Sequence, residues 1–160
     1  MGLEEGHSKK RTMSAVNALF HIVINTYCRE TTLPLQYSDN LYRYIARVVE
    51  GKHSVLYAIN GIENHIHLLV GLHPSVSLSD FVRDIKLSST QMIKKNFNLY
   101  PRFRGWGKEY GAFSYALRDK NMVERYILNQ REHHQRVTFE EEYRKLMENA
   151  GIEWNEYRLT

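Results

Sequence analysis

Residues 64 to 70, NHIHLLV, restrict what this chain can become more than any other stretch. Alternate side chains of a strand point to opposite faces, so His65 and His67 share one face while Ile66, Leu68 and Val70 share the other. The apolar face asks for a core packed against it. The opposite face, in what is otherwise a buried-strand pattern, carries two imidazoles one residue apart, and buried polar groups are costly without partners.

The neighbouring segments supply the rest of a sheet. ALFHIVINTYCR (18–29) is rich in β-branched and aromatic residues and predicts a first strand. Ser38 can cap a helix from Asp39 to about Glu50, with Leu41, Ile45, Val48 and Val49 on one side and Gly51 as its stop. SVLYAIN (54–60) then pairs with NHIHLLV across a turn around Gly61 as a hairpin. A longer helix follows over about 78–96, with Phe81, Ile85, Met92 and Ile93 at helical spacing, and AFSYALR (112–118) predicts a fourth strand. Asp119 can cap NMVERYILNQREHHQ, and Thr138 with Glu141 forms a capping box opening a last helix. No repeat, low-complexity stretch or Pro/Gly-rich linker divides the 160 residues. The expectation is one domain, with a core over about 17–136 and an acidic helix and tail over 137–160. The order βαββαβα plus an extra C-terminal helix predicts an α+β fold of ferredoxin-like type, one antiparallel sheet with helices on one face.

The formal net charge of +4 is unevenly distributed: residues 83–136 hold twelve Lys/Arg against five Asp/Glu, and residues 137–160 hold three against six. In YPRFRGWGKEYGAFSY (100–115) basic residues alternate with aromatics, a mixture that binds phosphates and offers rings to unpaired bases, or else a solvated basic loop with core aromatics. Arg102, Arg104 and Lys108 are candidate DNA contacts there, as are Arg83 and Lys86 on the preceding helix. No apolar run approaches the roughly 18 residues that cross a bilayer. The start, MGLEEGHSKK, has no apolar h-region, and the lone Cys28 has no partner for a disulfide or thiolate cage, so a soluble cytoplasmic protein is expected.

Late in the chain Tyr126 and Gln130 stand as Y-x-x-x-Q, followed by His133 and His134. On a helix Tyr126, Gln130 and His133 fall within about 60° of one another, on the side of Met122 and Val123 that should meet the sheet. Two imidazoles and a glutamine oxygen would bind a divalent cation, Mg²⁺ or Mn²⁺, able to polarise a phosphodiester. Tyr126 beside that phosphate would be a nucleophile whose attack conserves the bond energy as a phosphotyrosine.

The triplet followed about sixty residues later by Y-x-x-x-Q, in this element order, resembles the HUH transposases with a single catalytic tyrosine, the TnpA type of bacterial insertion sequences and their REP-associated relatives. The similarity runs from FHIVINT through NHIHLLV, GAFSY and YILNQREHH to FEEEY. The resemblance implies that His65, His67 and Gln130 are metal ligands and that Tyr126 is the nucleophile that becomes joined to the 5′ phosphate of cleaved single-stranded DNA. It also implies homodimers joined at sheet edges and recognition of imperfect hairpins at element ends. The chain departs from the family in the LRDKN link before the tyrosine helix, which lacks the glycine often found there; the nearest upstream is Gly111.

Two other readings compete. KEYGAFSY (108–115) loosely echoes the RNP1 pattern of RNA-recognition motifs, which suggests a non-catalytic single-stranded nucleic-acid binding module, although Glu109 and Ala112 break that pattern. A domesticated endonuclease serving its host would carry the same site. His133 and His134 are phosphate contacts, partners of the ligands or a helix end where imidazolium suits the dipole. His21 can also face the site, and His7, His53 and His73 read as surface residues.

Overall fold

The computed structural model describes residues 14–155. His7 and the end of the acidic tail lie outside them. The elements run β1 (Leu19–Asn25), α1 (Ser38–Gly51), β2 (Val55–Ile62), β3 (His65–Gly71), α2 (Leu78–Lys95), β4 (Gly111–Tyr115), α3 (Lys120–Leu128), α4 (Gln130–His133) and α5 (Phe139–Asn149). The four strands form one antiparallel sheet in the order β2-β3-β1-β4, as a ferredoxin-like fold requires. No helix among the described residues is long and apolar enough to cross a membrane.

Strand alternation divides the sheet into two chemically different faces. Ile22, Ile24, Ile66, Leu68 and Val70 meet Leu41, Ile45 and Val49 of α1 and Phe81, Val82, Ile85 and Ile93 of α2 in the main core. Each such side chain, fully buried, contributes about 1.5–3 kcal/mol. The expectation of helices on one face holds for α1 and α2. The other face is also covered: Val123 and Ile127 of α3 pack on Leu19, Ala58 and Leu69, and Phe139, Tyr143 and Met147 of α5 pack on Val23 and Phe113. Phe113 is therefore a core residue, which removes the stacking platform that the RNP1-like reading needs.

Local expectations shift where tertiary contacts compete with local signals. The first strand stops at Asn25, because Cys28 and Arg29 adopt positive φ in a tight turn. Ser38 starts α1 rather than capping it, whereas Thr138 and Glu141 do form the capping box of α5. The hairpin turn is Glu63–Asn64, and Gly61 lies inside β2 opposite Ile66. A Cβ on Gly61 would collide with the His65 carbonyl oxygen and come within 2.9 Å of Ile66 Cα. Gly61→Ala is expected to push apart the hairpin that carries both histidines, costing about 1–3 kcal/mol, read as a lower urea midpoint.

Candidate active site

His21 and Val23 of β1 and His65, His67 and Leu69 of β3 point to the face covered by α3, α4 and α5. Docking of Val123 and Ile127 places the half-buried Tyr126 above the histidines, with ring centroids 5.9 Å from His21 and 6.0 Å from His67. The tyrosine thus meets the histidine pair of its own chain. Met122, expected on the packing side, is exposed instead.

The single helix expected through Gln135 breaks at Asn129, where Asn60 Nδ2 donates to the Leu128 carbonyl at 3.0 Å. The chain resumes as α4 and turns Gln130 fully inward. Gln130 Oε1 lies 3.3 Å from His65 Nε2 and 2.9 Å from His134 Nε2.

The residue at the centre of this arrangement is Glu142, from the helix read above only as an acidic appendage. Its Oε1 lies 3.0 Å from His67 Nε2, 3.1 Å from His134 Nε2 and 3.4 Å from His65 Nε2. Its Oε2 accepts from Gln130 Nε2 at 2.8 Å and from the Tyr126 hydroxyl, and His133 Nε2 stands 3.2 Å away. A signal for it existed: Phe139, Glu142, Tyr143, Leu146 and Met147 follow the i, i+3, i+4, i+7, i+8 stripe that turns one helix face inward, and a carboxylate in that stripe needs a reason.

The donor set tests well against a divalent cation. Because Gln130 Nε2 donates to Glu142 Oε2, its Oε1 faces His65 and His134, and His65 Nδ1 donates to Asn64 Oδ1 at 2.7 Å. Lone pairs of His65 Nε2, Gln130 Oε1 and Glu142 Oε1 then converge, an arrangement a cation relieves. Candidate ligand atoms of His65, His67, His134 and Glu142 all lie within 4.8 Å of one another. Neighbours about 3 Å apart are what bonds of about 2.0–2.2 Å require. His21 Nε2 sits 2.7 Å from His67 Nδ1, the outer partner that fixes which nitrogen of a ligand faces the metal.

Electrostatics sorts the imidazoles. Burial pushes His65 down to about 4 and holds His21 well below its usual value. Burial also opposes a charge on His134, but the hydrogen bond to Glu142 and its charge outweigh this and raise it. Glu142 is ionised: burial alone would raise its carboxyl, yet the imidazoles of His134 and His67 hold it well below the carboxylate range. Tyr126 is raised by burial and by the Glu142 charge, so its hydroxyl keeps its proton.

Residues 14–130 match the family model described as "Transposase IS200 like". The chain belongs to the IS200-like transposase family. A candidate transposase from Deinococcus radiodurans R1 shares its fold at 23% identity and a TM-score of 0.58, over 76% of this chain and 97% of that one. A REP-associated tyrosine transposase, solved bound to a REP hairpin, does so at 17% identity and 0.59, over 81% and 76%. A search of curated proteins gives no match.

Within this transposase-family chain the basic residues divide sharply. Lys86 is partly buried. Its ammonium donates to the carbonyls of Gly107, Lys108 and Glu109 and pins the loop before β4. Arg83 is paired with Asp80 and Asp84 on α2, across the sheet from the histidines. Arg102 and Lys108 are exposed, while Arg104 pairs with Glu30 and lies 5.0 Å over the Tyr27 ring. Tyr100 and Trp106 of the same loop are buried anchors, Trp106 Nε1 donating to Ser89, so the core-aromatic reading holds for them. Two cations not singled out from the sequence border the tyrosine instead. Arg136 lines a cleft of about 340 Å³ with Tyr126, Asn129 and His133, and Lys145 lines another of about 400 Å³ with Tyr126, His133 and Glu142.

One consequence is measurable in the metal-free protein. A cation needs the imidazole lone pair, so His134 must release its proton on binding. That proton is held above the ordinary imidazole value of 6.5, whereas His65 stays neutral down to about 4 and adds no slope near neutrality. Affinity for a divalent cation is therefore expected to be full above the raised value and to fall as pH drops through it. Calorimetric titration in buffers of different ionisation enthalpy should show the accompanying proton release.

Proposed function

We propose that this protein cleaves and rejoins single-stranded DNA by tyrosine transesterification, with Tyr126 as nucleophile, through a 5′-phosphotyrosine intermediate. The observation that carries the reading is the convergence of His65, His67 and Gln130 within hydrogen-bond reach of the carboxylate that holds the Tyr126 hydroxyl. Mg²⁺ or Mn²⁺ bound by His65, His67 and Gln130, with His134 and Glu142 completing the set, would polarise the scissile phosphate. The protein's own work is placement. α3 aims the phenol, the sheet and α5 bury His65, His67 and Gln130, and the His133 ring packs beside the tyrosine with centroids 5.5 Å apart.

Arg136 and Lys145, in the two clefts that Tyr126 lines, would contact the phosphates flanking the cleaved one, and Arg102, Arg104 and Lys108 would extend the path. Imperfect hairpins at element ends are the proposed substrate. β2 and β4 are the sheet edges through which a homodimer would form. The test mixes the purified protein with labelled single strands from the DNA flanking its gene, with Mn²⁺ or Mg²⁺, on denaturing gels. A covalent protein–DNA band that requires the metal supports the reading; tight binding with no covalent band on any strand rejects it.

A further inference from the structure

Glu142 has a place in the site that metal binding alone does not explain. The two oxygens of its carboxylate face different partners. Oε1 is shared among the ε nitrogens of His65, His67 and His134, while Oε2 is turned away from them and accepts the Tyr126 hydroxyl. The remaining groups around Oε2 are Gln130 Nε2, a donor, and His133 Nε2, at 3.2 Å without hydrogen-bond alignment. Of the imidazoles beside the phenol, His67 is engaged by Oε1 and His21 by His67, while His133, with its ring centroid 5.5 Å from that of Tyr126, makes no aligned hydrogen bond; the hydroxyl itself is given to Oε2.

We infer that Glu142 is a catalytic residue of the proposed transesterification, taking the proton of Tyr126 as the nucleophile attacks. In cleavage the Tyr126 Oη–P bond forms while the P–O3′ bond breaks. The phenol proton passes to Glu142 Oε2, and the departing 3′ oxygen takes a proton from water. In rejoining, the 3′ hydroxyl of the incoming strand attacks phosphorus and yields its proton to water, the Oη–P bond breaks, and Glu142 returns its proton to Tyr126. A proton acceptor so placed is worth on the order of 10²- to 10⁴-fold in rate.

The inference rests on the transesterase reading, and the test separates the two. Glu142→Gln keeps the shape and an acceptor oxygen but not the basicity. Assayed at saturating Mn²⁺, with Mn²⁺ and DNA affinities and thermal stability measured alongside, it is expected to cleave 10²- to 10⁴-fold more slowly. Fluorinated tyrosine at position 126, a more acidic phenol, is expected to restore much of that loss in the variant while changing the wild-type rate little. Wild-type cleavage rates in Glu142→Gln, full recovery by added Mn²⁺ alone, or failure of the fluorinated tyrosine to restore activity would each overturn the role of Glu142 and leave the transesterase reading standing. Absence of a covalent adduct with the wild-type protein would overturn both.

Discussion

Tyr126→Phe is expected to abolish the covalent protein–DNA adduct while leaving binding of single strands and Mn²⁺ unchanged. The substitution removes one oxygen and keeps the ring, so α3 still docks through Val123 and Ile127, which do the packing. Glu142 loses one hydrogen bond but retains Gln130, His67 and His134, and the stability cost is expected at about 0.5–1.5 kcal/mol. Loss of cleavage therefore cannot be ascribed to unfolding, and thermal melts together with filter binding on the same preparation make the distinction. An adduct persisting in the variant would move the nucleophile elsewhere, and Tyr115, whose ring lies 6.4 Å from that of His21, would be the next residue to examine.

His67→Ala is expected to remove metal-dependent cleavage and to weaken Mn²⁺ binding by more than the roughly 10–100-fold that loss of an outer partner costs. Unlike Tyr126, this side chain is fully buried and bonded on both nitrogens, to His21 on one side and Glu142 on the other. Its removal strands the His21 ring against an apolar surface, so the fold should also lose about 1–3 kcal/mol. His21→Ala separates these effects: it leaves every candidate ligand in place and is expected to cost only the 10–100-fold of an outer partner. Wild-type Mn²⁺ affinity in His67→Ala, measured by calorimetry, would show that the histidine pair does not hold the ion.

The hairpin and the two-faced strand β3 were readable because each rests on short-range geometry. A strand's period of two separates His65 and His67 from Ile66 and Leu68 whatever surrounds them. The basic loop left two readings open. Charge and aromatic content do not say which side chains the core claims, and it claims Tyr100 and Trp106 while the loop's own carbonyls claim Lys86. The break at Asn129 was equally hidden: the Leu128 carbonyl beside it is taken by Asn60, 68 positions away.

The histidine pair and the Y-x-x-x-Q that carry the resemblance are properties of sequence, and the shared face of the pair is set by the local geometry of one strand, whereas the break at Asn129 sets how Gln130 stands relative to Tyr126. Which histidines would share a cation, and that a carboxylate from the last helix joins them to the tyrosine, was decided only by tertiary structure. Glu142 stands 75 positions from His67, and a contact at that separation depends on how α5 packs against the sheet. Local preference specified the capping box that starts that helix and the stripe that buries it. Packing of Phe139, Tyr143 and Met147 on Val23 and Phe113 decided that the carboxylate in the stripe would meet four imidazoles and a phenol rather than water.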